Sequence, residues 1–437
     1  MGVKNPNSTS YVHPNEPNIL NLHTSMEYNA LGQPVLRTTS GSSTSISGNG
    51  NVDAFGRQQV AQPLTLFDSQ HRYAQNDKFW TNAVNGATIT HNADASLVNM
   101  TVDTTNGSEA IMETTRVFPY QPGKALEIFA TFCMGANQVN TCQRVGYFGT
   151  QNGIYIEKDG DTMYIVKRSS VSGSVIDTRI AQTDWNVDTL NSSGTTGIDL
   201  DFTKSQILFI DIEWLGVGSV RVGFIVDGAF VVAHKFHHAN IIDETYMTTA
   251  ALPVRYEISN SAGVATSTTL KHICSTVVSS GGYSLTGKSY LAGRGLTYYT
   301  MSSTGTYYHL ASIRLNSARL DDIVIPTAIN VLTDSNQNIE FKLVLNATFA
   351  TPLSFATHTN GAVDVSTTDS AVSSNGTELA TNYVINKSAG TLTAAQLREL
   401  QLSRSDSTPD VLSLIAIGDS PNVKAAGNIT WIEPLRG

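Results

Sequence analysis

The sequence predicts an all-β protein. An extended N-terminal arm spans residues 1–65, an antiparallel β-sandwich spans 66–300, and a second β-rich domain with one short helix spans 301–437. Three observations carry this expectation. Charged residues make up only 14% of the chain while hydrophobic ones hold 41%, so the surface falls to Ser, Thr, Asn and Gly, which suit turns and exposed strand faces better than helices. From about Val52 to Thr300, strand-length apolar or alternating runs recur between Gly, Asn and Asp turn signals. The first fifty-odd residues, GSSTSISGNGN above all, sustain no such period, and so bury too little apolar surface to fold alone.

Taken in order, the arm is expected to order only against a partner or the rest of the chain. Phe55, Leu66 and Phe67 would be its apolar anchors and Arg57 its fixed charge. In the sandwich, GIYIEK and TMYIVKR flank Asp159-Gly160-Asp161, and SVRVGFIV and AFVVAHKFHH flank Asp227-Gly228. Asp-Gly supplies the positive φ angles of a two-residue hairpin turn. SVSGS leads into VIDTRIA, and SQILFIDIEWLG, LPVRYEIS and KHICSTVVSS add further strands, giving seven or more. Beyond Met301, IEFKLVLNATF, NYVINKSA, VLSLIAIG and NITWIEP read as strands. Thr393-Ala-Ala-Gln396 has the form of a capping box ahead of Leu397, Leu400 and Leu402, predicting a helix of two turns or so.

A net charge of −9 with no run of Lys or Arg leaves no electrostatic footprint for nucleic acid. No stretch approaches the ~20 apolar residues that cross a bilayer as a helix, so a soluble chain is expected, without membrane insertion. The opening MGVKNPNSTS lacks the basic and apolar regions of a secretory signal, and Pro6 stands where a myristoylation site has Ser or Thr. Cys133, Cys142 and Cys274 have no C-x-x-C spacing, so neither zinc nor a disulfide framework is indicated; a Cys133–Cys142 bridge stays open.

Four sets of residues invite chemistry. Gly282-Tyr-Ser-Leu-Thr-Gly287-Lys288-Ser289 matches G-x-x-x-x-G-K-[ST], but the YLAGRGLTYYT that follows is no helix to face a phosphate, so a loop between strands is expected. Asp211 and Glu213 alternate on one strand, placing their Cβ atoms ~7 Å apart. That strand resembles the E-x-D-x-E strand of retaining β-glucanases, which implies a lectin-like, concanavalin or jelly-roll sandwich, yet Phe209 occupies the position of the nucleophilic Glu. His234 and His238 are ~13 Å apart on a strand, too far to share one metal ion, and His237 points the other way. Tyr290, Tyr298, Tyr299, Tyr307 and Tyr308 cluster in a Gly/Ser/Thr-rich stretch, suited either to stacking on sugars or to filling an interface. No G-x-S-x-G elbow occurs.

Several strings together carry a family resemblance. They are VDAFGR at 52–57, QPLTLFDSQ at 62–70 with Arg72-Tyr73, YQPGK at 120–124, RVGYF at 144–148, the run from Ile210 to Phe224, LPVRY at 252–256 and ICST at 273–276. In combination the region from Val52 to Tyr283 resembles virion structural proteins of tailed bacteriophages, especially those of marine and cyanobacterial hosts. The resemblance implies an assembled particle component of the tail, neck or fibre rather than an enzyme, located in the virion. Its partners would be copies of itself and other virion proteins, and it supplies no catalytic residues and no cofactor. The alternative expectation is a lectin-like protein that binds host-surface glycan.

Overall fold

A computed structural model describes residues 23–28, 34–39, 62–76, 79–282, 284, 286–320, 322–393 and 409–434. The helix expected after Thr393, with Leu397, Leu400 and Leu402, lies outside the described residues, as do Phe55 and Arg57. Within the first sixty residues β1 (His23–Tyr28) and β2 (Pro34–Thr39) pair antiparallel, His23 opposite Thr39. The region read as an unpaired arm therefore contains a hairpin, and its last residues, from Pro63, belong to the sandwich.

The sandwich strands are β3 (Pro63–Gln70), β4 (Trp80–Asn85), β5 (Ala87–Asn92), β6 (Leu97–Val102), β7 (Glu109–Thr114), β8 (Ala125–Cys133), β9 (Thr141–Phe148) and β10 (Gly153–Asp159), followed by β11 (Thr162–Ser169), β12 (Ile176–Ala181), β13 (Gln206–Ile212), β14 (Val220–Val226), β15 (Ala229–Phe236), β16 (Val254–Asn260) and β17 (Thr268–Ser280). They form a seven-stranded sheet, β12-β11-β10-β9-β16-β7-β4, and an eight-stranded one, β15-β14-β13-β8-β17-β6-β5 with β3 on β17. Every ladder is antiparallel, as the tight turns require. Asp227 and Gly228, at φ of 51° and 79°, close the β14–β15 hairpin, and Gly160 at 65° closes β10–β11.

Alternation puts one side of each sheet into a shared core. Leu126, Ile128, Ala130 and Phe132 of β8 meet Val145 and Tyr147 of β9, Ile154 and Ile156 of β10 and Tyr256 of β16, all at most 1% exposed. Phe67 belongs to this core, its ring 5.2 Å from Phe118, 5.8 Å from Trp80 and 6.0 Å from Phe79. Leu66 packs against the same core. Neither is thus an anchor held out to a neighbouring protein: β3 pairs along β17, and its apolar side chains are used inside the chain.

The remaining strands have their own sheets and their own core around Trp431, Phe341, Leu414 and Ile313. These are β18 (Gly287–Gly293), β19 (Tyr299–Met301), β20 (Tyr308–Leu315), β21 (Ile325–Thr333), β22 (Ile339–Leu345), β23 (Thr348–Phe349) and β24 (Ala356–Thr357), then β25 (Val363–Ser366), β26 (Val372–Ser374), β27 (Thr377–Val384), β28 (Ala389–Thr393), β29 (Val411–Gly418) and β30 (Val423–Pro434). Because β18 and β19 both pair with β30, the two sets of sheets part between β17 and β18, upstream of Met301. Replacing Phe67 by Ala removes a buried aromatic ring and leaves a cavity, so urea unfolding is expected to show a loss of about 3–4 kcal/mol; an unchanged midpoint would return Phe67 to the role of external anchor.

Candidate functional site

The outward side of the seven-stranded sheet is unlike an ordinary solvated strand face. Register aligns Glu113, Arg255, Gly146, Tyr155, Val166 and Arg179 in one row, and Glu257, Arg144, Glu157 and Tyr164 in the next. A third row holds Phe148, Gly153, Arg168 and Asp177. Two glycines make room for an aromatic floor. A Cβ on Gly146 would lie 2.6 Å from the Tyr155 Cα, and one on Gly153 would lie 2.0 Å from the Phe148 Cβ. With those atoms absent, the Phe148 and Tyr155 rings approach to 4.4 Å between centroids.

Guanidiniums roof this floor. Arg144 lies 6.0 Å and Arg168 5.3 Å from the centre of the Tyr155 ring, Arg255 lies 5.4 Å from that of Phe148, and Arg179 sits 4.0 Å over Tyr164. Each is tied to carboxylates. Arg144 Nε donates to Glu157 Oε2 at 2.6 Å and its Nη1 donates to Glu257. Arg255 bridges Glu257, 2.6 Å from Nη2, and Glu113, 3.0 Å from Nη1. Arg168 holds Asp177 through two parallel bonds of 2.8 Å, the strong bidentate form. Arg179 Nη2 pairs with Glu157 at 2.6 Å and Asp159 at 2.8 Å.

Glu157 and Glu257 are 2% and 4% exposed, a depth at which an unpaired carboxylate would be expelled or protonated. Burial opposes the charge on Glu257, but Arg255 and Arg144 outweigh it and hold the carboxyl below its usual range. At Asp177 burial is likewise overcome by the Arg168 hydrogen bonds. At the same time burial drives the Tyr155 hydroxyl up, so the phenol stays neutral. The deep part of the face is therefore fixed, while the rim is open to solvent: side-chain exposure is 47% at Asp159, 36% at Arg179 and 29% at Asp177. Asn152 closes one end, its amide donating to Thr248 Oγ1 at 2.7 Å. Such a face offers planar donors and acceptors, held in place, around aromatic rings.

None of the four residue sets that invited chemistry from sequence lies on this face, although Arg144, Phe148 and Arg255 fall within strings that carry the family resemblance. Gly287, Lys288 and Ser289 are in β18, opposite Pro434, Glu433 and Ile432, so the phosphate-loop motif is a strand. Asp211 is buried on the other sheet and accepts from Arg221 Nε at 2.7 Å, Phe209 packs on Phe230, and Glu213 is exposed. His234 accepts from the Asn186 N–H at 3.2 Å, and burial, with His237 adding to it, lowers its pKa to about 4. His238 stacks on Tyr246 and His237 lies beside Ser219.

In the second set of sheets the Tyr290 hydroxyl donates to Asn360 O, that of Tyr307 donates to Glu340, and that of Tyr308 contacts Ser302 and Ser303. Tyr299 lies under Arg294 and 5.4 Å from Tyr308, and Tyr298 is half-buried. Tyr290, Tyr299, Tyr307 and Tyr308 are built into the local packing. Cys133, Cys142 and Cys274 are free thiols, which closes the question of a Cys133–Cys142 bridge. The missed face had one local signal: Tyr155, Glu157 and Asp159 alternate in GIYIEKD, as Arg255 and Glu257 do in VRYEISN.

No family model and no curated protein matches the chain. Similar solved structures include a Bacillus licheniformis β-glucanase, at 10% identity and a TM-score of 0.32, covering 51% of this chain and 99% of that one. The carbohydrate recognition domain of Emp47p is similar at 8% identity and 0.31, covering 49% and 94%. A carbohydrate esterase from the Shiga toxin-encoding bacteriophage phi24B is similar at 13% identity and 0.30, covering 51% and 100%. The likeness is one of β-sandwich fold. The expectation that the chain is not an enzyme is withdrawn, since the similar structures include a β-glucanase and a carbohydrate esterase.

Replacing Arg144 by Met strips one guanidinium from both buried glutamates. Because Arg179 and Arg255 remain, the expected cost at pH 7 is roughly 3 kcal/mol, the low end for breaking a buried pair. Glu257, with a folded pKa below its ordinary 4.5, contributes its stability fully above that value and loses it as pH falls through the folded one. The difference between wild type and variant in urea unfolding should therefore narrow from pH 7 to pH 4.

Proposed function

We propose that the outward face of the seven-stranded sheet binds glycan. The observation that carries the reading is the open rim, where the Arg179–Asp159 pair stands beside the Tyr164 ring at the edge of a fixed guanidinium–carboxylate lattice. A sugar ring presents hydroxyls in its plane and C–H groups on its faces; paired carboxylates and guanidiniums meet the hydroxyls, and an aromatic ring meets the C–H face. Because the lattice is already locked by its own ion pairs, a ligand would spend little free energy ordering it. The positive and negative groups nearly balance, which suits a neutral polyhydroxyl ligand better than a polyanion.

The wider setting of this proposal is the virion structural class that the sequence resembles. In that setting the chain assembles with its own copies and with other virion proteins, in the tail, neck or fibre, and its sandwich meets glycan on the host surface. Immunogold labelling of intact particles with an antibody to the chain tests this part, and absence of label would overturn it.

A second reading, cleavage of the bound glycan, is favoured by one observation: Glu157 and Asp159 alternate on the same side of β10, a spacing of ~7 Å between Cβ atoms that is compatible with paired carboxylate chemistry. Release of reducing ends from a bound polysaccharide, abolished by Glu157→Gln, would establish it.

On a glycan array the purified chain should give sugar-dependent signal. Tyr164→Ala and Arg179→Ala should each weaken it by about tenfold or more, the equivalent of ~1.4 kcal/mol, with far-UV circular dichroism unchanged. A wild-type protein silent across neutral and acidic glycans would overturn the proposal.

A further inference from the structure

Inside the first sandwich, away from the candidate site, two histidines from segments 201 residues apart meet edge on. His71, just after β3, places Nε2 3.2 Å from Nδ1 of His272 on β17. Both rings are 0% exposed. His272 stacks on Tyr256 at 3.8 Å, lies 4.5 Å from Trp80, and shares a 3.0 Å hydrogen bond with Ser275. Only one proton fits between the two facing nitrogens, so the contact survives only while at least one of the two rings is neutral.

We propose that this histidine pair is an acid-operated latch that releases β3 from the sandwich. Protonating both rings would set two N–H groups against each other in a dry interior. His71 Nδ1 has no hydrogen-bond partner, so the second N–H of its imidazolium would also be buried unpaired. The surroundings supply no counter-charge. From β5, His91 Nε2 donates to the His71 carbonyl at 2.7 Å and is itself a basic ring; β16 contributes Tyr256, β4 Trp80, β7 the Met112 sulfur at 3.5 Å and β17 Ser275. Among the described residues no carboxylate pairs with either ring.

The strain would be relieved at β3 because that strand is held on one side only. Among the described residues it pairs only with β17, through a register interrupted between Val277 and Val278, while β17 keeps its separate ladder with β8. The sign follows from burial. Burial, with His91 adding to it, lowers the His71 pKa from its ordinary 6.5 to about 4, and burial, with His71 beside it, holds His272 well below its ordinary value. Between those values an opened β3 binds protons that the closed form cannot, so opening becomes more favourable as pH falls, by up to about tenfold per pH unit for each ring.

Hydrogen-exchange protection factors of the full chain, corrected for intrinsic rate, test the latch. From pH 7 to pH 5, protection over residues 63–71 should fall by about tenfold or more, while that over 125–133 changes by less than about threefold, and the loss should reverse on neutralisation. In His71→Gln, the same segment should lose protection much less steeply. Equal loss in both segments, or a His71→Gln protein that follows the wild-type profile, would overturn the proposal. If His71→Gln does not fold, His272→Gln serves in its place. Imidazole NMR of the wild type provides an independent check, because either ring titrating near 6.5 would also overturn it.

Discussion

A β-sheet buried on both sides must answer two different solvents with one alternating sequence, and that constraint governs the first sandwich. Inward positions of β9, β10 and β16 carry Val145, Tyr147, Ile154, Ile156, Tyr256 and Ile258, which need nothing but neighbours of the right volume. The outward positions of the same strands carry Glu157, Arg255 and Glu257, nearly as buried yet charged, together with the half-buried Arg144 and the neutral Tyr155. Apolar packing tolerates approximate matches. Buried charge does not, because each guanidinium must find a carboxylate in register or the face comes apart.

That requirement explains why the face is rigid where it is deep and available where it is shallow. Glu157 is shared by Arg144 and Arg179, and Glu257 by Arg144 and Arg255, so every deep charge has two partners and no freedom. Toward β12 the lattice thins to Asp159, Asp177 and Arg179, which keep contact with water. A ligand arriving there exchanges water for contact without breaking the core of the network. The eight-stranded sheet follows another rule on its outer side, where Phe230 meets both Phe129 and Phe209 edge to face and Asp211 with Arg221 forms the local ion pair.

Buried histidines add a second electrostatic theme. His71, His234, His272 and His309 are all held neutral chiefly by burial. Three of them have partners that suit a neutral ring: the Asn186 N–H for His234, Ser275 for His272, and Ser312 with the Thr368 carbonyl for His309. His71 differs in having a second basic ring as its polar neighbour and a bare Nδ1. The location at a one-sided strand is what turns a packing detail into a point of conformational control.

The amino-acid sequence by itself determined the all-β class and the hairpins at Gly160 and Asp227-Gly228, because alternation and positive-φ turn residues act over a few positions. It also disposed of the phosphate loop, since YLAGRGLTYYT cannot start a helix. It did not reveal the charged face, which draws one residue in turn from β7, β16, β9, β10, β11 and β12; a polar outward residue reads the same whether water or an arginine stands beside it. Nor did it place Phe67 in the core, pair β18 with β30, or bring His71 to His272. Those contacts join segments far apart in the chain, and strand pairing over such distances is selected by the packing of whole sheets, a collective property that no local pattern records.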